Sequence, residues 1–533
     1  MITKIKINGY RFFRDFELIP NEKLNLIVGP NESGKSTLIE AITLALTGRV
    51  NGKSADEELN PYWFNRDLVK EFVDKRNSGE RKSFPTIRIE LFFENADNLQ
   101  NLCGAHNSDI PTNACPGIKF EVLPNPEYYD DLDIWANSPS DILPTDYYMT
   151  DWRPFNDEKI TRQPKELYTA IIDSKTVRST SGVDFHLREM LNDYLEPRER
   201  VEISQDFRNV KDSMSNNSLK EINKRIKGIN ENLHDKTISL TMDQSARSTW
   251  ENFITPHVDN IPFTMSGQGQ QAAIKISLAM NKHSDRASFV MVEEPENHLS
   301  HTSLTTLISR IEDLAGDNQQ LFITTHSSFV LNRLGLDAVL LMGKKKTKKI
   351  SCLEPNTVSY FKKLPGYDTL RLAISPKIVL VEGPSDEILF ERIFRDKHGK
   401  LPMEIGIDVL SMRGLSFKKC LELCSALNKT VAAMRDNDGI DPEELRKDLD
   451  NFLKKGIIEL FIGDINSGET LENQLLKCNS EEKIRSILDI KDMANTLKWM
   501  TRNKTESAIR IAESKEKINS PNYMELAADF ING

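Results

Sequence analysis

The fold class is decided by one stretch of sequence, Leu24-Asn25-Leu26-Ile27-Val28-Gly29-Pro30-Asn31-Glu32-Ser33-Gly34-Lys35-Ser36-Thr37. Its first five residues are apolar enough for a buried strand, its glycines indicate a turn, and residues 35–46 have the pattern of an amphipathic helix. The turn matches G-x-x-x-x-G-K-[ST], a loop between a strand and a helix that cradles phosphate groups. The stretch therefore predicts a nucleotide-binding domain of the α/β class.

Phosphate chemistry explains the residue types in this loop. Backbone N–H groups at the helix N-terminus point towards phosphate oxygens, and the Lys35 ammonium group neutralises the charge of the β- and γ-phosphates. The Ser36 hydroxyl is a ligand for Mg²⁺. We expect ATP to be bound by a set of loop residues, Asn31, Gly34, Lys35, Ser36 and Thr37.

A second buried strand, residues 289–292, ends in two carboxylates, Glu293 and Glu294. We expect Glu293 to hold the Mg²⁺ shell and Glu294 to act as the general base that polarises the attacking water. His326 follows the next predicted strand, at residues 321–325, where we expect an imidazole to sense the γ-phosphate. Together with the loop, these residues predict an ATPase site.

The length of 533 residues exceeds what one hydrophobic core usually supports. Alternating α/β patterns are interrupted by a polar, helix-favouring block, and a new α/β pattern begins near residue 376. We therefore predict four segments: residues 1–163 and 251–365 as the two parts of the ATPase domain, 164–250 as a helical insertion that serves dimerisation, and 366–533 as a second α/β domain with a mostly parallel sheet.

Composition restricts where the protein works. No stretch approaches the roughly 20 consecutive apolar residues of a membrane span, and residues 1–7 alternate apolar and polar residues like a strand and unlike a secretory signal. Six cysteines without a CxxC pair suit a reducing compartment. We expect a cytoplasmic protein with no membrane contact. The net charge of −10 argues against a surface covered in DNA-binding residues, although one basic channel is enough.

Acidic residues follow three predicted strands of the C-terminal third. They are Glu382 and Asp386 after residues 378–381, Asp436 and Asp438 after 430–434, and Glu469 and Glu472 after 457–461. Because ligands bind at the carboxyl ends of strands in open α/β sheets, we expect the carboxylates to form one cluster. Two divalent metal ions would offset their repulsion, generate hydroxide and stabilise a leaving oxygen. The pattern predicts hydrolysis of a phosphodiester.

The nucleotide-binding residues resemble those of ABC-type ATPases of the SMC and RecF group. Ser266-Gly267-Gln268-Gly269-Gln270 resembles their signature loop, with one extra residue between the glycines, and Glu296-Asn297-His298-Leu299 resembles their D-loop region. Arg11 resembles an arginine that approaches the nucleotide. The resemblance implies that Ser266 and Gly267 complete the ATP site of a second protomer, so that two heads sandwich two ATP molecules in a homodimer.

The order Glu-Gly, Asp-x-Asp and a later Glu resembles the Toprim domain, and its fusion to an ABC ATPase resembles the OLD (overcoming lysogenization defect) family of nucleases. Ser411-Met412-Arg413-Gly414 resembles the turn between the first two metal strands. The resemblance implies Lys504 as a residue that stabilises transition-state charge. It also implies a set of ligands for Mg²⁺ or Mn²⁺: Glu382, Asp436, Asp438 and Glu472, with Asp386 and Glu469 as second ligands.

The same resemblance implies DNA as the substrate, a homodimer or higher homo-oligomer, a role in defence against phage, and a partner protein or a retron RNA–DNA molecule in some members. Two other functions stay open. An SMC-like ATP-gated DNA clamp would use the Toprim block without cutting, and the intact carboxylates argue against it. The other is a topoisomerase or primase-like enzyme; strand passage would need a nucleophilic tyrosine in a DNA-binding domain, and no separate domain is evident.

Two further patterns, a basic hairpin tip and a group of Cys and His residues, predict a function less specifically. The basic hairpin tip at residues 343–349 is either a solvated turn or a contact with the DNA backbone. Cys103, His106 and Cys115 would need a fourth ligand to form a zinc site, and their spacing fits no common one.

Overall fold

The structure of the protein is a computed structural model. It describes residues 1–50, 52–78, 83–137, 142–173, 195–230, 238–245, 250, 253, 257–267, 270–271, 274, 288–297, 299–314, 319–342, 347–349, 353–363, 369–412, 416–490 and 495–533. These residues form two compact units: unit 1 is Met1–Asn25 with Gly34–Thr325, and unit 2 is Leu26–Ser33 with His326–Gly533.

The strands are β1 (Ile2–Tyr10), β2 (Phe13–Leu18), β3 (Leu24–Val28), β4 (Arg49–Val50), β5 (Lys53–Ser54), β6 (Ile87–Phe93), β7 (Cys103–Gly104), β8 (Cys115–Pro124), β9 (Tyr148–Pro154), β10 (Tyr168–Asp173), β11 (His257–Val258), β12 (Ile261–Pro262), β13 (Ser288–Glu293), β14 (Gln319–Thr324), β15 (Val339–Met342), β16 (Thr347–Lys349), β17 (Lys377–Val381), β18 (Ile407–Ser411), β19 (Thr430–Arg435) and β20 (Ile458–Ile462).

The α-helices are α1 (Lys35–Thr47), α2 (Ala55–Glu58), α3 (Arg66–Asn77), α4 (Tyr129–Ala136), α5 (Pro197–Asn216), α6 (Lys220–Asn230), α7 (His301–Leu314), α8 (Ser328–Leu334), α9 (Pro355–Lys362), α10 (Thr369–Ile374), α11 (Pro384–His398), α12 (Phe417–Ala426), α13 (Pro442–Lys447), α14 (Leu471–Cys478), α15 (Glu481–Leu488), α16 (Thr496–Arg502), α17 (Lys504–Glu513) and α18 (Asn522–Asn532). Among the described residues, no helix is both long and apolar enough to span a membrane.

Unit 1 contains an antiparallel sheet with the strand order β2-β1-β6-β8-β7, and β9 pairs with β8. The alternation at the N-terminus of the chain explains its central strand, because Ile5 and Ile7 are fully buried while Lys4 and Lys6 point to the other face. Ile5 pairs with Leu18 of β2 on one side and with Leu91 of β6 on the other.

A parallel arrangement of β10, β13 and β14 completes unit 1, with Val290 of β13 opposite Leu321 of β14. Every residue of β14 is buried, as is typical of strands covered on both faces. The buried Gln320 side chain connects this arrangement to the antiparallel sheet: it accepts a hydrogen bond from Ile2 N and donates one to Ile2 O. Glu293 lies at the carboxyl end of β13, where it pairs with Thr324 of β14.

Unit 2 begins inside β3. Residues Leu26, Ile27 and Val28 pair in parallel with Val339, Leu340 and Leu341 of β15, and β15 pairs antiparallel with β16. The fully buried residues of β3 bring the chain into the phosphate-binding turn.

The C-terminal part of unit 2 contains a four-stranded parallel sheet with the order β18-β17-β19-β20. Its core joins Val379 and Val381 of β17 to Phe390 and Phe394 of α11 and to Met524 of α18. Because all four strands run in the same direction, their carboxyl ends meet at one edge of the sheet. Glu382 and Asp436 directly follow two neighbouring strands at this edge.

The segment predicted as a helical insertion, residues 164–250, contains α5 and α6. It also contains β10, which pairs with β13 in unit 1. Apolar side chains on this segment are exposed at Val201, Val210 and Met214. Its role in dimerisation, like the four-part division of the chain, stays a prediction.

Candidate functional site

The phosphate-binding turn has backbone angles that its glycines permit. Gly34 has a φ of 92°, and a Cβ atom there would lie 3.1 Å from the rings of Phe12 and Phe13. Helix α1 begins at the next residue, and among the described residues no side chain caps its N-terminus. The N–H groups of this first turn therefore suit the phosphates of a nucleotide.

Lys35 lies next to acidic side chains within unit 1. It is 6% exposed. Burial lowers the pKa of its ammonium group, and the carboxylates of Glu294 and Glu296 act in the opposite direction. Ser36 is exposed and Thr37 half-buried in the same turn of α1. The predicted phosphate ligand and the predicted general base are thus electrostatic neighbours.

Glu293 is the last residue of β13, and Glu294 follows it with a φ of 43°. This left-handed conformation is costly for a residue with a side chain and is found at functional positions. The surroundings hold it in place: Glu294 N donates to Thr324 O at 3.0 Å, and Asn297 Nδ2 donates to Glu294 Oε2 at 2.6 Å. The carboxylate of the predicted base is therefore oriented by a partner on its own loop.

The remaining predicted nucleotide contacts differ in their surroundings. Arg11 forms an ion pair with Glu40, with Nη2 and Oε1 2.9 Å apart. Ser266 O accepts a hydrogen bond from Gln271 Nε2 at 2.8 Å, and a Cβ atom at Gly267 would meet no atom within 4 Å among the described residues. Asn31, which is exposed, and His326, which is half-buried, lie in unit 2.

The acidic residues of the C-terminal sheet are placed by strand ends and helix starts. Glu382 follows β17, and Asp386 lies in the first turn of α11, where its Oδ2 accepts from Gly383 N at 3.0 Å. Asp436 follows β19 and its Oδ2 accepts from Leu471 N at 3.2 Å. Glu472, in the first turn of α14, accepts from Thr470 Oγ1 at 2.9 Å. Three segments distant in sequence thus meet at one edge.

Burial and mutual repulsion suppress the negative charge of this cluster. Burial, together with the charges of Asp386 and Glu382, raises the pKa of Asp436 to about 7. Burial also raises the pKa of Glu382 to about 7, against the opposing effect of Arg435. The pKa of Asp386 is raised by burial to about 6, although hydrogen bonds from backbone N–H groups lower it. Glu382, Asp386, Asp436 and Glu472 therefore form one electrostatic unit.

Two cations lie beside the cluster. Arg435 approaches Glu382 at 3.5 Å and Asp438 at 3.7 Å, between the ends of β17 and β19. Lys504, the first residue of α17, has its Nζ 3.8 Å from Glu472 Oε2 and is half exposed. Arg435 bridges two acidic residues, while Lys504 reaches the cluster from the solvent side.

Asp438 and Glu469 lie in neighbouring, exposed loops. Asp438 has a φ of 49°, and its N–H donates to Glu469 O at 3.2 Å. The buried Asn437 side chain holds the loops together by donating to Gly463 O at 3.1 Å and to Gly468 O at 2.8 Å. The loop that carries the Asp-x-Asp pair is thereby attached to the segment that carries Glu469.

The donor set suits a hard divalent cation. Asp436 Oδ1 is buried and, among the described residues, has no hydrogen-bond partner, and carboxylate oxygens are the ligands that Mg²⁺ and Mn²⁺ prefer. In the described part of the chain, however, no three His, Cys, Asp or Glu side chains lie close enough to form a preformed metal cage. The carboxylates lie close enough to influence one another's charge, but among the described residues they do not form a closed set of metal ligands.

Sequence comparison matches two regions of the chain to known families. A family model described as AAA domain matches residues 4–314, more than half of the 533 residues, and one described as overcoming lysogenization defect protein-like, TOPRIM domain, matches residues 374–438. The chain belongs to the AAA domain family and carries an OLD-like Toprim domain. The predicted fold class, an α/β ATPase domain followed by a Toprim domain with a parallel sheet, is confirmed.

Curated relatives of this AAA and Toprim protein match parts of it. Endonuclease GajA of Bacillus cereus (strain VD045) is 26% identical over 216 residues, which are 38% of this chain and 36% of GajA. The DNA replication and repair protein RecF of Bacillus cytotoxicus is 34% identical over 77 residues, which are 14% of this chain and 21% of RecF. The chain thus matches well under two thirds of the length of either relative.

Solved structures also superpose on the two regions. The C-terminal region of the Burkholderia pseudomallei OLD protein aligns with 30% of this chain and 98% of its own length, at 20% identity and a TM-score of 0.26. The SMC head domain from Thermotoga maritima aligns with 65% of this chain and 98% of its own length, at 12% identity and a TM-score of 0.30. At TM-scores this low, the superpositions add nothing to the fold assignment.

Two side chains of the Toprim domain that sequence reasoning missed lie at the cluster. Arg435 directly precedes Asp436, so an arginine beside the Asp-x-Asp pair was an available signal. Tyr523, in α18, is buried near the four carboxylates, whose charges add to the effect of burial in raising its pKa. No local pattern indicates it. Several predicted positions lie outside the described residues: Gln268, Gly269, His298, Arg413, Gly414 and 343–346.

Proposed function

We propose that this protein is an ATP-regulated, divalent-metal-dependent DNA endonuclease. One observation carries the proposal: Glu382, Asp386, Asp436 and Glu472 meet at the carboxyl edge of the Toprim sheet. The surroundings of Glu382, Asp386 and Asp436 disfavour their negative charge. Acidic groups whose charge is suppressed in this way are suited to binding cations and are typical of functional sites. The similarity to endonuclease GajA supports DNA cleavage as the reaction.

Each residue of the cluster has a task in the proposed reaction. The four carboxylates would hold Mg²⁺ or Mn²⁺, with Asp438 and Glu469 as exposed additional ligands. When bound, the ions supply hydroxide at neutral pH and stabilise the leaving oxygen of the phosphodiester. Lys504 is half exposed beside Glu472, so its ammonium group can contact a phosphate and neutralise the charge of the transition state.

The AAA domain would regulate this reaction. Lys35 and the N-terminus of α1 bind the phosphates of ATP, Ser36 and Glu293 hold its Mg²⁺, and Glu294 orients the attacking water. Ser266 and Gly267 act on the site of a second protomer, so the active form is a homodimer or a larger homo-oligomer. We further propose a role in anti-phage defence, with a partner protein or a retron RNA–DNA molecule as an additional component.

The first experiment measures nicking and cleavage of supercoiled and linear DNA with Mg²⁺ or Mn²⁺, with and without ATP. Asp436→Ala should lose both nicking and cleavage, because a buried ligand is removed. Lys35→Ala should keep cleavage and lose ATP hydrolysis together with the response of cleavage to ATP. Asp448→Ala, which changes an exposed acid of the same domain, should behave like the wild type. Equal cleavage by wild type and Asp436→Ala would contradict the proposal.

A second candidate function is an ATP-gated DNA clamp that does not cut. The position of Arg435 favours it, because this cation lies between Glu382 and Asp438 where a metal ion would otherwise balance their charge. A wild-type protein that binds DNA in an ATP-dependent manner, and that neither nicks nor cleaves DNA with Mg²⁺ or Mn²⁺, would favour the clamp. A topoisomerase or primase-like enzyme would instead leave a tyrosine–DNA adduct or a primer.

A further inference from the structure

Tyr523 lies at the level of the acidic cluster, on the helix that runs back along the Toprim sheet. Lys377 Nζ, at the start of β17, donates to Ile531 O near the end of α18 at 2.9 Å. From Ile531 back to Tyr523 the helix spans about 12 Å, and from Lys377 to Val381 the strand spans about 13 Å. The helix and the strand pack together in one core. The charges of Asp436, Asp386, Glu382 and Glu472 act on Tyr523, so the start of α18 lies near the end of β17, where Glu382 follows.

The hydroxyl group of Tyr523 is buried without a hydrogen bond. The residue is 5% exposed, and among the described residues its hydroxyl has no partner. A buried hydroxyl that makes no hydrogen bond lowers the stability of the fold, so it calls for an explanation such as a partner that binds only in another state of the protein. Burial raises the pKa of this hydroxyl well above its usual value, and the charge of Asp436 adds most to this effect among the four carboxylates.

Asp436 has a buried acceptor atom that lacks a donor. Its Oδ2 accepts from Leu471 N at 3.2 Å, whereas its Oδ1 is buried and has no partner within the described part of the chain. One unused donor and one unused acceptor thus lie in the same buried region. Carboxylates that bind metal ions are commonly oriented by hydrogen bonds from a second layer of residues, whose loss weakens metal binding.

We propose that Tyr523 is a positioning residue of the Toprim metal site, whose hydroxyl donates a hydrogen bond to the Asp436 carboxylate when a divalent cation is bound. This inference rests on the proposed function. Tyr523 touches neither substrate nor metal; it acts by fixing the direction in which Asp436 presents its oxygen atoms. Neither atom has a partner among the described residues, so the Asp436 carboxylate has to turn towards the Tyr523 hydroxyl for this bond to form.

Tyr148 offers a matched control within the same chain. It is also buried, at 7% exposure, and its hydroxyl also lacks a partner among the described residues. Burial alone raises its pKa, with no contribution from acidic neighbours. Tyrosine-to-phenylalanine substitutions at both positions remove the same single atom, and only the one at Tyr523 removes it beside carboxylates.

The experiment compares Mn²⁺ binding by nucleotide-free, full-length wild type, Tyr523→Phe, Tyr148→Phe and Asp436→Ala. Free Mn²⁺ is followed by electron paramagnetic resonance during a titration, and melting temperatures are recorded in EDTA. We expect Tyr523→Phe to weaken Mn²⁺ binding about tenfold while its melting temperature in EDTA stays at or above that of the wild type, because an unpaired buried hydroxyl is removed. Tyr148→Phe should bind Mn²⁺ like the wild type.

Three results would overturn the proposal. One is wild-type affinity in Tyr523→Phe. The second is an equal loss of affinity in Tyr148→Phe, which would indicate a general effect. The third is a loss of affinity in Tyr523→Phe accompanied by a lower melting temperature in EDTA, which would make Tyr523 a packing residue. Failure of the proposed function itself is distinguishable, because Asp436→Ala would then bind Mn²⁺ with wild-type affinity as well.

Discussion

At the scale of the residue, the carboxyl groups of Asp436 and Glu382 have pKa values of about 7 because both are partly or wholly buried and both have acidic neighbours. Near neutral pH such groups exchange protons readily. A divalent cation that binds them must displace those protons, so metal binding and proton release are coupled. Arg435 already offsets part of the repulsion at Glu382.

The raised pKa of Asp436 predicts how the stability of the metal-free protein depends on pH. An unfolded aspartate loses its proton near pH 4, whereas the native Asp436 keeps it until about pH 7. Between these values the native state holds more protons than the unfolded state. Raising the pH therefore favours the unfolded state, and the buried Asp436 carboxylate lowers the free energy of unfolding by an amount that grows until about pH 7. Below pH 4 both states are protonated and the penalty is absent.

Asp436→Asn should remove this penalty, because the amide cannot ionise and its oxygen can still accept from Leu471 N. In EDTA we expect the variant to gain about 1–3 kcal/mol in free energy of unfolding at pH 8. The gain should grow from pH 4 to about pH 7 and then level off. Chemical denaturation at a series of pH values measures it, with Asp448→Asn as the exposed control. A constant difference across the pH range would be inconsistent with the assigned cause.

At the scale of the element, the segment between β20 and α14 determines where Glu469 and Glu472 are held. Gly468 has a φ of 117°, and a Cβ atom there would lie 2.3 Å from Asn473 Cβ. Its carbonyl oxygen accepts hydrogen bonds from Asn437 Nδ2 and from Gln474 Nε2. This glycine therefore lets the chain turn sharply into α14 while staying attached to the Asp-x-Asp loop.

Gly468→Ala should displace the start of α14 and with it Glu472. We expect a loss of about 2–3 kcal/mol in stability from the combination of backbone strain and a close contact, together with weaker Mn²⁺ binding. Gly456→Ala is the matched control, because Gly456 has a φ of 75° and no atom of the described residues lies within 4 Å of its Cβ position. That variant should lose only about 1 kcal/mol and bind Mn²⁺ normally. Equal stabilities of the two variants would refute the role of the close contact.

At the scale of the whole molecule, the ATPase site and the carboxylate cluster belong to different matched families on one chain. The proposed link between them is an assembly in which ATP joins two AAA domains. Gly267 is exposed, and a Cβ atom there would contact none of the described residues. A substitution at this position should therefore leave the stability of the protomer unchanged and affect only its assembly with a second protomer.

Glu294→Gln should bind ATP, hydrolyse it slowly because the general base is lost, and accumulate as an ATP-dependent dimer or larger assembly. Adding Gly267→Asp should prevent that assembly, because an added carboxylate would repel the phosphates of ATP bound to the partner. Light scattering with and without ATP measures the mass, and the melting temperature of Gly267→Asp shows whether the protomer stays folded. ATP-dependent assembly of the double variant would contradict the proposed role of Gly267.

The amino-acid sequence by itself determined the features that depend on neighbouring residues. The phosphate-binding turn is a local motif, and the predicted strand at residues 24–28 has the same bounds in the structure. Strand β20 ends at Ile462, one residue beyond its predicted end, because pairing with neighbouring strands decides where a strand ends. The acidic residues after β17, β19 and β20 could be predicted because each lies soon after an apolar run; Glu382 follows its run directly, whereas Glu469 and Glu472 follow after a loop.

Only the tertiary structure decided the electrostatics of the site. Arg435 lies between Glu382 and Asp438 because β17 and β19 are neighbours in the sheet, an adjacency that strand patterns do not specify. Tyr523 lies near Asp436, although it belongs to the last helix of the chain, because α18 packs in the same core as β17 and β19. The pKa values near 7 arise from burial and from charges brought together by folding. These are through-space effects, and residues distant along the chain acquire them only when the chain is packed.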